Sequence, residues 1–532
     1  MPQAEEHVGA TTASQPHASR RSHWVNHLGR HAHGRPEGVA LRFRGETTTW
    51  SELHVRVERL AAALAARGVA AGDRVAMLMG NRPEYVEALL ATNRLGAIGV
   101  PVNFRLAAGE IAYILENSGA TVLFVDGLGA ETGGQAVEQV DHDVELIGVG
   151  DAESAAASRF SAVLEEGHDA SPTVDVPEDS PALIMYTSGT TGRPKGAVLT
   201  HMNLLSESVV LIRAYQLMES DEVNLVASPM FHIGAIGSIA PLLLIGGTIV
   251  ILPSGAFDPA AVLRLLEEER VTSAFLVPSQ WQLMVDHDSL PDRDLSRLRT
   301  TSWGAAPATH KLLTRMAEVF PDALNVAVFG QTEMSPITCV LEGKDAVRKI
   351  GSVGKPVPTV ALRIVDREMN DVPQGEVGEI VYRGTGLMSG YWRNDAATDE
   401  AFEGGWFHSG DMVRQDEEGF LYVVDRAKDM IISGGENIYC AEVENVLSDH
   451  PSVAEVSLIA RESEKWGETP VAVVVPADGS EELTIEAMRE WAGAHLARYK
   501  LPTALEVVDE LPRNAAGKVL KPKLRERFGS AS

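Results

Sequence analysis

The chain runs to 532 residues, with 46 Lys and Arg against 74 Asp and Glu, a formal net charge of −28, and 45% hydrophobic against 23% charged residues. At roughly 100–200 residues per domain this is a globular protein of about three to five domains or subdomains. Two cysteines, Cys339 and Cys440, exclude a disulfide scaffold and a zinc or iron–sulfur ligand set and suit a reducing cytoplasm; the acidic balance excludes broad binding to nucleic acid or anionic membrane, so any anionic ligand needs a local cationic site.

Residues 1–22 carry Glu5 and Glu6 early and no apolar core, which predicts a disordered leader and no secretory signal. Six of the sixteen histidines precede Gly34: His7, His17, His23, His27, His31 and His33. A metal-binding tract is one reading; a solvated leader and first helix is preferred. Thereafter β-rich runs alternate with helical patterns. Strands are predicted at 75–79, 121–125, 145–149, 183–186, 248–252, 274–277 and 325–329, and helices at 51–67, 84–95 and 259–269. That alternation predicts α/β layers with largely parallel sheets. The uncharged run 233–252 has the length of a membrane span. Pro241 and Gly246-Gly247 divide it, so it is read as a short buried helix, a glycine turn and a buried strand, with no stable membrane span. Beyond Lys355 the texture changes to short strands at 360–365, 378–384 and 420–424, a small antiparallel or barrel-like subdomain. A helix at 441–450, strands at 453–460 and 471–475 and a helix at 485–499 then make a compact α+β unit. The boundary falls in the polar run 425–429. The expected layout is the leader over 1–22, an N-terminal body over 23–425 with two α/β layered subdomains plus the barrel-like one, and a small mobile C-terminal domain over 426–532.

One loop concentrates phosphate chemistry. Residues 186–196 read YTSGTTGRPKG, led in by the apolar run ALIM. Thr187, Ser188, Thr190 and Thr191 bring hydroxyls, Gly189 and Gly192 let the backbone come close, and Lys195 brings a cation. A polyphosphate needs that set. The spacing is not that of a Walker A loop. A Ser/Thr/Gly-rich surface turn has the same composition.

With PMFHIGA (229–235), SWGAAP (302–307), FGQTEMSP (329–336), WFHSGDM (406–412), VDRAKDMIISGGENIYCAEVE (424–444) and LPRNAAGKVLK (511–521), the loop resembles the adenylate-forming superfamily. That superfamily comprises acyl-CoA synthetases, non-ribosomal peptide synthetase adenylation domains and luciferases. The motifs keep the family's order and spacing over nearly the whole chain after residue 24. The resemblance implies an AMP-forming acid–thiol ligase that takes ATP, Mg²⁺ and coenzyme A. Such an enzyme positions its reactants and stabilises charge, and does little covalent chemistry itself.

By the resemblance, Thr332 touches the phosphate and Glu333 holds Mg²⁺, a hard cation that suits a carboxylate at a strand end; a solvated loop acid would look the same. Gly304, Ala305, Ala306, Phe329, Gly330 and Gln331 border the nucleotide. Phe329 stands where the family usually has Tyr, so a hydrogen bond through that hydroxyl is missing. Asp411 can accept from two vicinal hydroxyls and is assigned the ribose. Arg426 is implied as a ribose or phosphate ligand, with a structural ion pair as the alternative. Lys518, in a Gly/Ala-flanked loop, is implied to contact the carboxylate and α-phosphate. Lys521, Lys523, Arg525 and Arg527 are read as a solvated tail. Lys428 falls at the hinge position, and Ser433, Gly434 and Gly435 at the coenzyme A tunnel; a plain hairpin turn reads the same.

The acyl pocket is expected along 231–237, 302–305 and 329–335, with Phe231, His232, Gly234, Trp303 and Met334 as named walls. His232 is a substrate-adjacent gate, not a base, because a carboxylate is already nucleophilic at neutral pH. No Asp is placed to pair an amino-acid ammonium, and no serine-bearing carrier domain follows. A hydrophobic acid is therefore expected, fatty acids first, with aryl, polycyclic terpenoid or steroid-derived acids open. A fatty acyl-AMP ligase and a non-catalytic nucleotide- or acyl-binding protein are the alternatives. A homodimer is compatible with this length.

Overall fold

The computed structural model describes residues 21–530 except 154, 155, 157, 169, 170, 173, 188–192, 219, 220, 307, 427, 428, 434, 435, 464, 478, 480–482, 514–518 and the side chain of Asn437. Most of the expected leader therefore lies outside the described residues, but its end is held. Arg21 Nε meets Asp175 at 2.7 Å and Arg21 Nη1 meets Glu178 at 3.0 Å, while the Ser22 N–H donates to Glu178. The first helix, α1 (Trp24–Gly34), corrects a second expectation. His27 and His31, with His23 at its N-cap, recur every fourth residue on one face, and all three are buried. They are not solvated; they seal that helix against its neighbours. His31 Nε2 lies 2.9 Å from the Leu243 carbonyl, and the His23 ring sits 4.7 Å from that of His201.

The chain is mixed α/β and divides into a larger unit, Met1–Ala361 with Arg383–Glu400, and a smaller one, Leu362–Tyr382 with Ala401–Ser532. In the larger unit, one sheet runs Ser158–Arg159, Glu145–Gly148, Val122–Val125, Arg74–Leu78, Ile98–Pro101, β1 (Pro181–Thr187), β2 (Lys195–Thr200). It is parallel except for the β1–β2 hairpin. Its central strands are apolar on both faces, as parallel strands between helices must be. The phosphate-loop motif thus joins two antiparallel strands, with Thr187 opposite Lys195.

From β2 the chain passes into α2 (His201–Tyr215). Thr200 caps it: its hydroxyl accepts from the Asn203 N–H at 3.1 Å, and its own N–H donates to Asn203 Oδ1 at 2.8 Å. The 233–252 run folds as expected. It gives α3 (Ile233–Ile245), a left-handed Gly246 at φ 78° and the strand Thr248–Ile251. No helix among the described residues is long and apolar enough to cross a membrane.

The second sheet of this unit runs Ser352–Pro356, Cys339–Leu341, β4 (Leu324–Phe329), β3 (Thr300–Gly304), Ser273–Phe275, Val223–Val226, Thr248–Ile251, Val39–Phe43, Glu46–Thr49. Its central strands are parallel, so the C-terminal ends of β3 and β4 lie side by side. Ligand crevices in such sheets form at those ends.

In the smaller unit, the greater parts of Val360–Val365 and Gly378–Gly384 neighbour β5 (Phe407–Gln415) and β6 (Leu421–Arg426) in one run of strands. A separate sheet pairs Val453–Ser463 with Gly467–Pro476, flanked by Ile431–Ser433 and Ala504–Val507. The helix expected at 485–499 ends at Gly493, and a turn leads to a 3-10 segment, Arg498–Lys500. Leu501 then packs beside Gly493, in the same apolar cluster as Met488 and Ala492. The expected solvated tail is a helix, α4 (Lys521–Phe528), pinned by buried Leu524. Lys521 Nζ pairs with Glu444 at 2.8 Å and Arg525 with Asp429 at 2.9 Å. Those two cations are structural; Leu524 turns that side of the helix inward.

Candidate active site

The β1–β2 hairpin and the turn after β4 bring three expected residues together in the larger unit. Glu333 sits in a 3-10 turn, Thr332–Met334, and is mostly buried. Its Oε1 accepts from the Thr187 hydroxyl at 3.2 Å and from the Tyr391 hydroxyl at 3.1 Å. The Lys195 ammonium lies over the Tyr391 ring, 5.1 Å from its centroid. Backbone bonds lock the arrangement: the Met388 N–H donates to the Glu333 carbonyl at 2.8 Å, and the Trp392 N–H to the Gly196 carbonyl at 2.7 Å.

Tyr391 escaped the sequence reasoning. It touches both Lys195 and Glu333, yet lies far from each along the chain. Burial first, and then the Glu333 carboxylate, push its phenol above the ordinary range, so it stays a donor. The signal available was the aromatic pair Tyr391-Trp392 following a glycine in an otherwise polar stretch. The loop residues Ser188, Gly189, Thr190, Thr191 and Gly192 lie outside the described residues, as do Lys428, Gly434, Gly435 and Lys518.

Mg²⁺ fits Glu333. The carboxylate is met by neutral hydroxyls, and among the described residues it makes no salt bridge to a cation. Those residues also contain no cluster of three or more His, Cys, Asp or Glu able to hold a metal. A cation held by one carboxylate together with substrate phosphates is the arrangement Mg²⁺ favours.

The ends of β3 and β4 supply a smooth edge. A Cβ on Gly304 would fall 2.4 Å from the Val328 carbonyl oxygen, and one on Gly330 would fall 2.0 Å from that of Pro336, so only glycine fits. Ala305 is held at φ 65° and exposed, as is Ala306. A left-handed alanine is a strained position that the surroundings must enforce. Phe329 and Gln331 are part-buried at this edge, with Gly330 exposed between them.

Of the acyl-wall residues, Phe231 is buried and edge-on to Phe104 at 5.3 Å, and its ring lies 4.4 Å from that of His232, the N-cap of α3. Met334 is fully buried. Phe275, which the sequence reading missed, links two expected glycines. Its ring would lie 3.4 Å from a Cβ on Gly304 and 3.9 Å from one on Gly234. Trp303 is not brought to this group. Strand alternation turns it to the face opposite Ser302 and Gly304, where its indole N–H donates to Asn325 at 2.8 Å.

In the smaller unit, Asp411 on β5 and Arg426 on β6 are direct cross-strand partners. Arg426 Nε meets Asp411 Oδ1 at 2.8 Å, and Arg426 Nη1 donates to the Ser409 carbonyl. The ion pair left open as the alternative for Arg426 is therefore formed. Beside it, buried Asp425 accepts from the Arg426 and Cys440 N–H groups, and burial raises its carboxyl to about 6. Ser433 pairs with Glu436 across a hairpin and with Gly467.

The profile of the AMP-binding enzyme family matches residues 28–392, and that of the AMP-binding enzyme C-terminal domain matches 442–518. The chain is similar to a feruloyl-CoA synthase of Amycolatopsis sp., 43% identical over 94% of this chain and 98% of the relative. It is 40% identical to an indoleacetate–CoA ligase of Aromatoleum aromaticum, over 95% of this chain and 97% of the relative. A long-chain-fatty-acid–CoA ligase of Mycobacterium tuberculosis is 37% identical over 91% and 93%. Among solved structures, o-succinylbenzoate coenzyme A synthetase from Bacillus subtilis, in complex with ATP and magnesium ion, superposes with a TM-score of 0.82. It is 31% identical and covers 94% of this chain and 99% of that one.

Proposed function

The chain belongs to the AMP-binding enzyme family, and from that premise we propose how its residues carry the two half-reactions of an ATP-dependent acyl-CoA ligase. In the first, the acid's carboxylate oxygen attacks the α-phosphorus of ATP and pyrophosphate leaves, giving acyl-AMP. In the second, the coenzyme A thiol attacks the acyl carbonyl, AMP leaves, and the thiol proton is released.

The observation that carries this reading is the meeting of Thr187, Lys195 and Glu333 around Tyr391. In the proposal, Thr187, Ser188, Gly189, Thr190, Thr191 and Gly192 cradle the departing pyrophosphate, and Lys195 offsets its charge. Thr332 donates to the α-phosphate, and Glu333 holds Mg²⁺, which when bound neutralises phosphate oxygens as charge shifts onto the leaving group. Gly304, Ala305, Ala306, Phe329, Gly330 and Gln331 flank the adenine. Asp411 takes the ribose hydroxyls, and its cross-strand bond to Arg426 fixes the carboxylate's direction. Lys518 serves adenylation, Lys428 is the hinge of a mobile domain over 426–532, and Ser433, Gly434 and Gly435 line the pantetheine path. A reducing cytoplasm is proposed as the setting, supported by two buried, unpaired cysteines. A homodimer is proposed on size alone, with sedimentation as its check.

For the acid we propose an aromatic carboxylate. The Phe104–Phe231 edge pair and the Phe275 ring beside Gly304 and Gly234 bring aromatic rings to the residues expected to line the acyl pocket, and the relatives named feruloyl-CoA synthase and indoleacetate–CoA ligase support the same choice. Fatty acids, which the sequence pattern placed first, are the second arm of the test. The experiment is acid-dependent ATP–pyrophosphate exchange over hydroxycinnamates, arylacetates and fatty acids, followed by coenzyme A consumption. Exchange with aryl acids and thioester formation is the expected result. Exchange with alkyl chains alone overturns the aryl assignment, and no exchange with any acid overturns the whole reading.

A further inference from the structure

Glu207 lies on α2, in the apolar interior, and only 2% of it is exposed. Its Oε2 accepts from the Ile337 N–H at 3.3 Å, and its Oε1 has no hydrogen-bond partner. Oε1 abuts Gly386: a Cβ there would lie 2.5 Å from this oxygen and 2.9 Å from the Met334 carbonyl oxygen. Glu207 is thus wedged between two stretches, the 334–337 turn and the 384–388 loop.

Those two stretches hold the candidate site. The turn begins with Thr332 and Glu333. The loop continues through Met388, whose N–H donates to the Glu333 carbonyl, to Tyr391, whose hydroxyl donates to the Glu333 side chain. One turn earlier on α2, Asn203 Nδ2 donates to the Thr385 and Leu387 carbonyls at 2.7 and 2.9 Å, and the Ser206 and Thr385 hydroxyls share a bond at 2.5 Å. One helix face therefore clamps both stretches, and Glu207 is its only acid.

We propose that Glu207 is a positioning residue for adenylation and acts as an un-ionised carboxylic acid, holding the Thr332–Glu333 turn against the 384–388 loop. Among the described residues no Lys, Arg or His pairs with it. A lone carboxylate in such a place is so costly that it keeps its proton. The ionisable groups on the packed elements are His201, Arg213 and Tyr215 on the same helix, Lys195 on β2, His232 at the start of α3, Glu333 on the turn, and Arg383, Tyr391 and Arg393 around the loop. None of them governs Glu207: burial raises it well above the ordinary carboxylate range, and only the Ile337 N–H opposes that. Because Oε2 accepts, the proton resides on Oε1. Ionisation would leave a bare charge against the Gly386 methylene and beside the Met334 carbonyl.

The test compares wild type, Glu207→Gln, Glu207→Ala and Gly386→Ala between pH 7 and 10. It reads pyrophosphate exchange, the unfolding midpoint, and the rise of that midpoint on adding Mg²⁺-ATP. Wild type should lose exchange and the ATP-induced rise as pH climbs, whereas Glu207→Gln, neutral throughout, should hold both flat. At pH 7, Glu207→Ala should lower kcat about tenfold or more, since small misplacements of reacting groups carry large costs, and Glu207→Gln should recover most of that loss. If Glu207→Ala does not fold, Gly386→Ala serves: its added methyl should depress the ATP-induced rise in wild type and less so beside Glu207→Gln. A parallel alkaline fall in Glu207→Gln, or a Gln variant as damaged as the Ala variant, overturns the proposal. The exchange arm rests on the adenylation reading; the unfolding midpoint without ligand does not. Absence of exchange with every acid therefore strikes that reading, while a wild-type midpoint that ignores alkali strikes this one.

Discussion

Glu333 takes two hydroxyl hydrogen bonds on a single oxygen, so its orientation is set by neutral donors that do not compete with a cation for charge. Glu333→Gln should therefore slow acid-dependent pyrophosphate exchange by about 10²–10³-fold, the usual cost of losing one electrostatic contact to a phosphoryl transition state. Tyr391→Phe should cost less, roughly 10–100-fold, and raise the Mg²⁺ concentration for half-maximal rate, because it loosens the carboxylate without removing it. An unchanged Mg²⁺ requirement would detach Tyr391 from Glu333. At this scale the sequence showed Thr187, Lys195 and Glu333 through their motifs, but not Tyr391, whose contacts arise only when a distant loop folds back. Trp303 was misplaced because SWGAAP was read as one continuous wall, although the two-residue period of a strand sends Trp303 and Gly304 to opposite faces.

At the scale of elements, α1 presents a buried histidine face of His23, His27 and His31. Burial lowers His27 to about 4 and, on α2, His201 to about 3. Since the ordinary histidine value is 6.5, the unfolded chain takes up protons before the folded one does. The part of the stability that these histidines contribute should thus be full above about pH 6.5 and be lost as pH drops toward 4. His27→Leu should flatten that fall in the unfolding midpoint between pH 7 and 5; an unaltered slope would locate the acid sensitivity elsewhere. The four-residue spacing of His23, His27 and His31 was visible in the sequence and marked one helix face, but the polar label outweighed the period. For Lys521 and Arg525, the partners are Glu444 on the helix Cys440–Ser448 and Asp429 in the turn after β6, and no local pattern announces them. The start of α2 was the better-marked feature. Thr200→Ala should remove about 1 kcal/mol of stability through lost capping, read as a lower denaturant midpoint, with a further loss of exchange if α2 clamps the site.

For the whole molecule, two half-reactions share one chain, and substitutions should separate them. Lys518→Ala is expected to slow acyl-adenylate formation about 10²–10³-fold while nearly sparing thiolysis of preformed adenylate; equal damage to both would remove its assigned role. The two-layer parallel α/β body and the small C-terminal domain were legible because β-branched runs and helical periods alternate plainly. The finer division was not: the change of texture beyond Lys355 marked a separate group of short strands, but nothing local showed that residues 362–382 and 401–425 cluster with the smaller unit.

The β1–β2 hairpin has a consequence for how such a chain can diversify. Its last paired residues, Thr187 and Lys195, face each other across a registered ladder, and the return strand is stapled at Gly196 by Trp392. The chain therefore leaves and re-enters the ladder at two paired positions. Transplanting the segment between them from a cousin with another triphosphate preference should leave the scaffold's melting behaviour untouched and carry the preference with it.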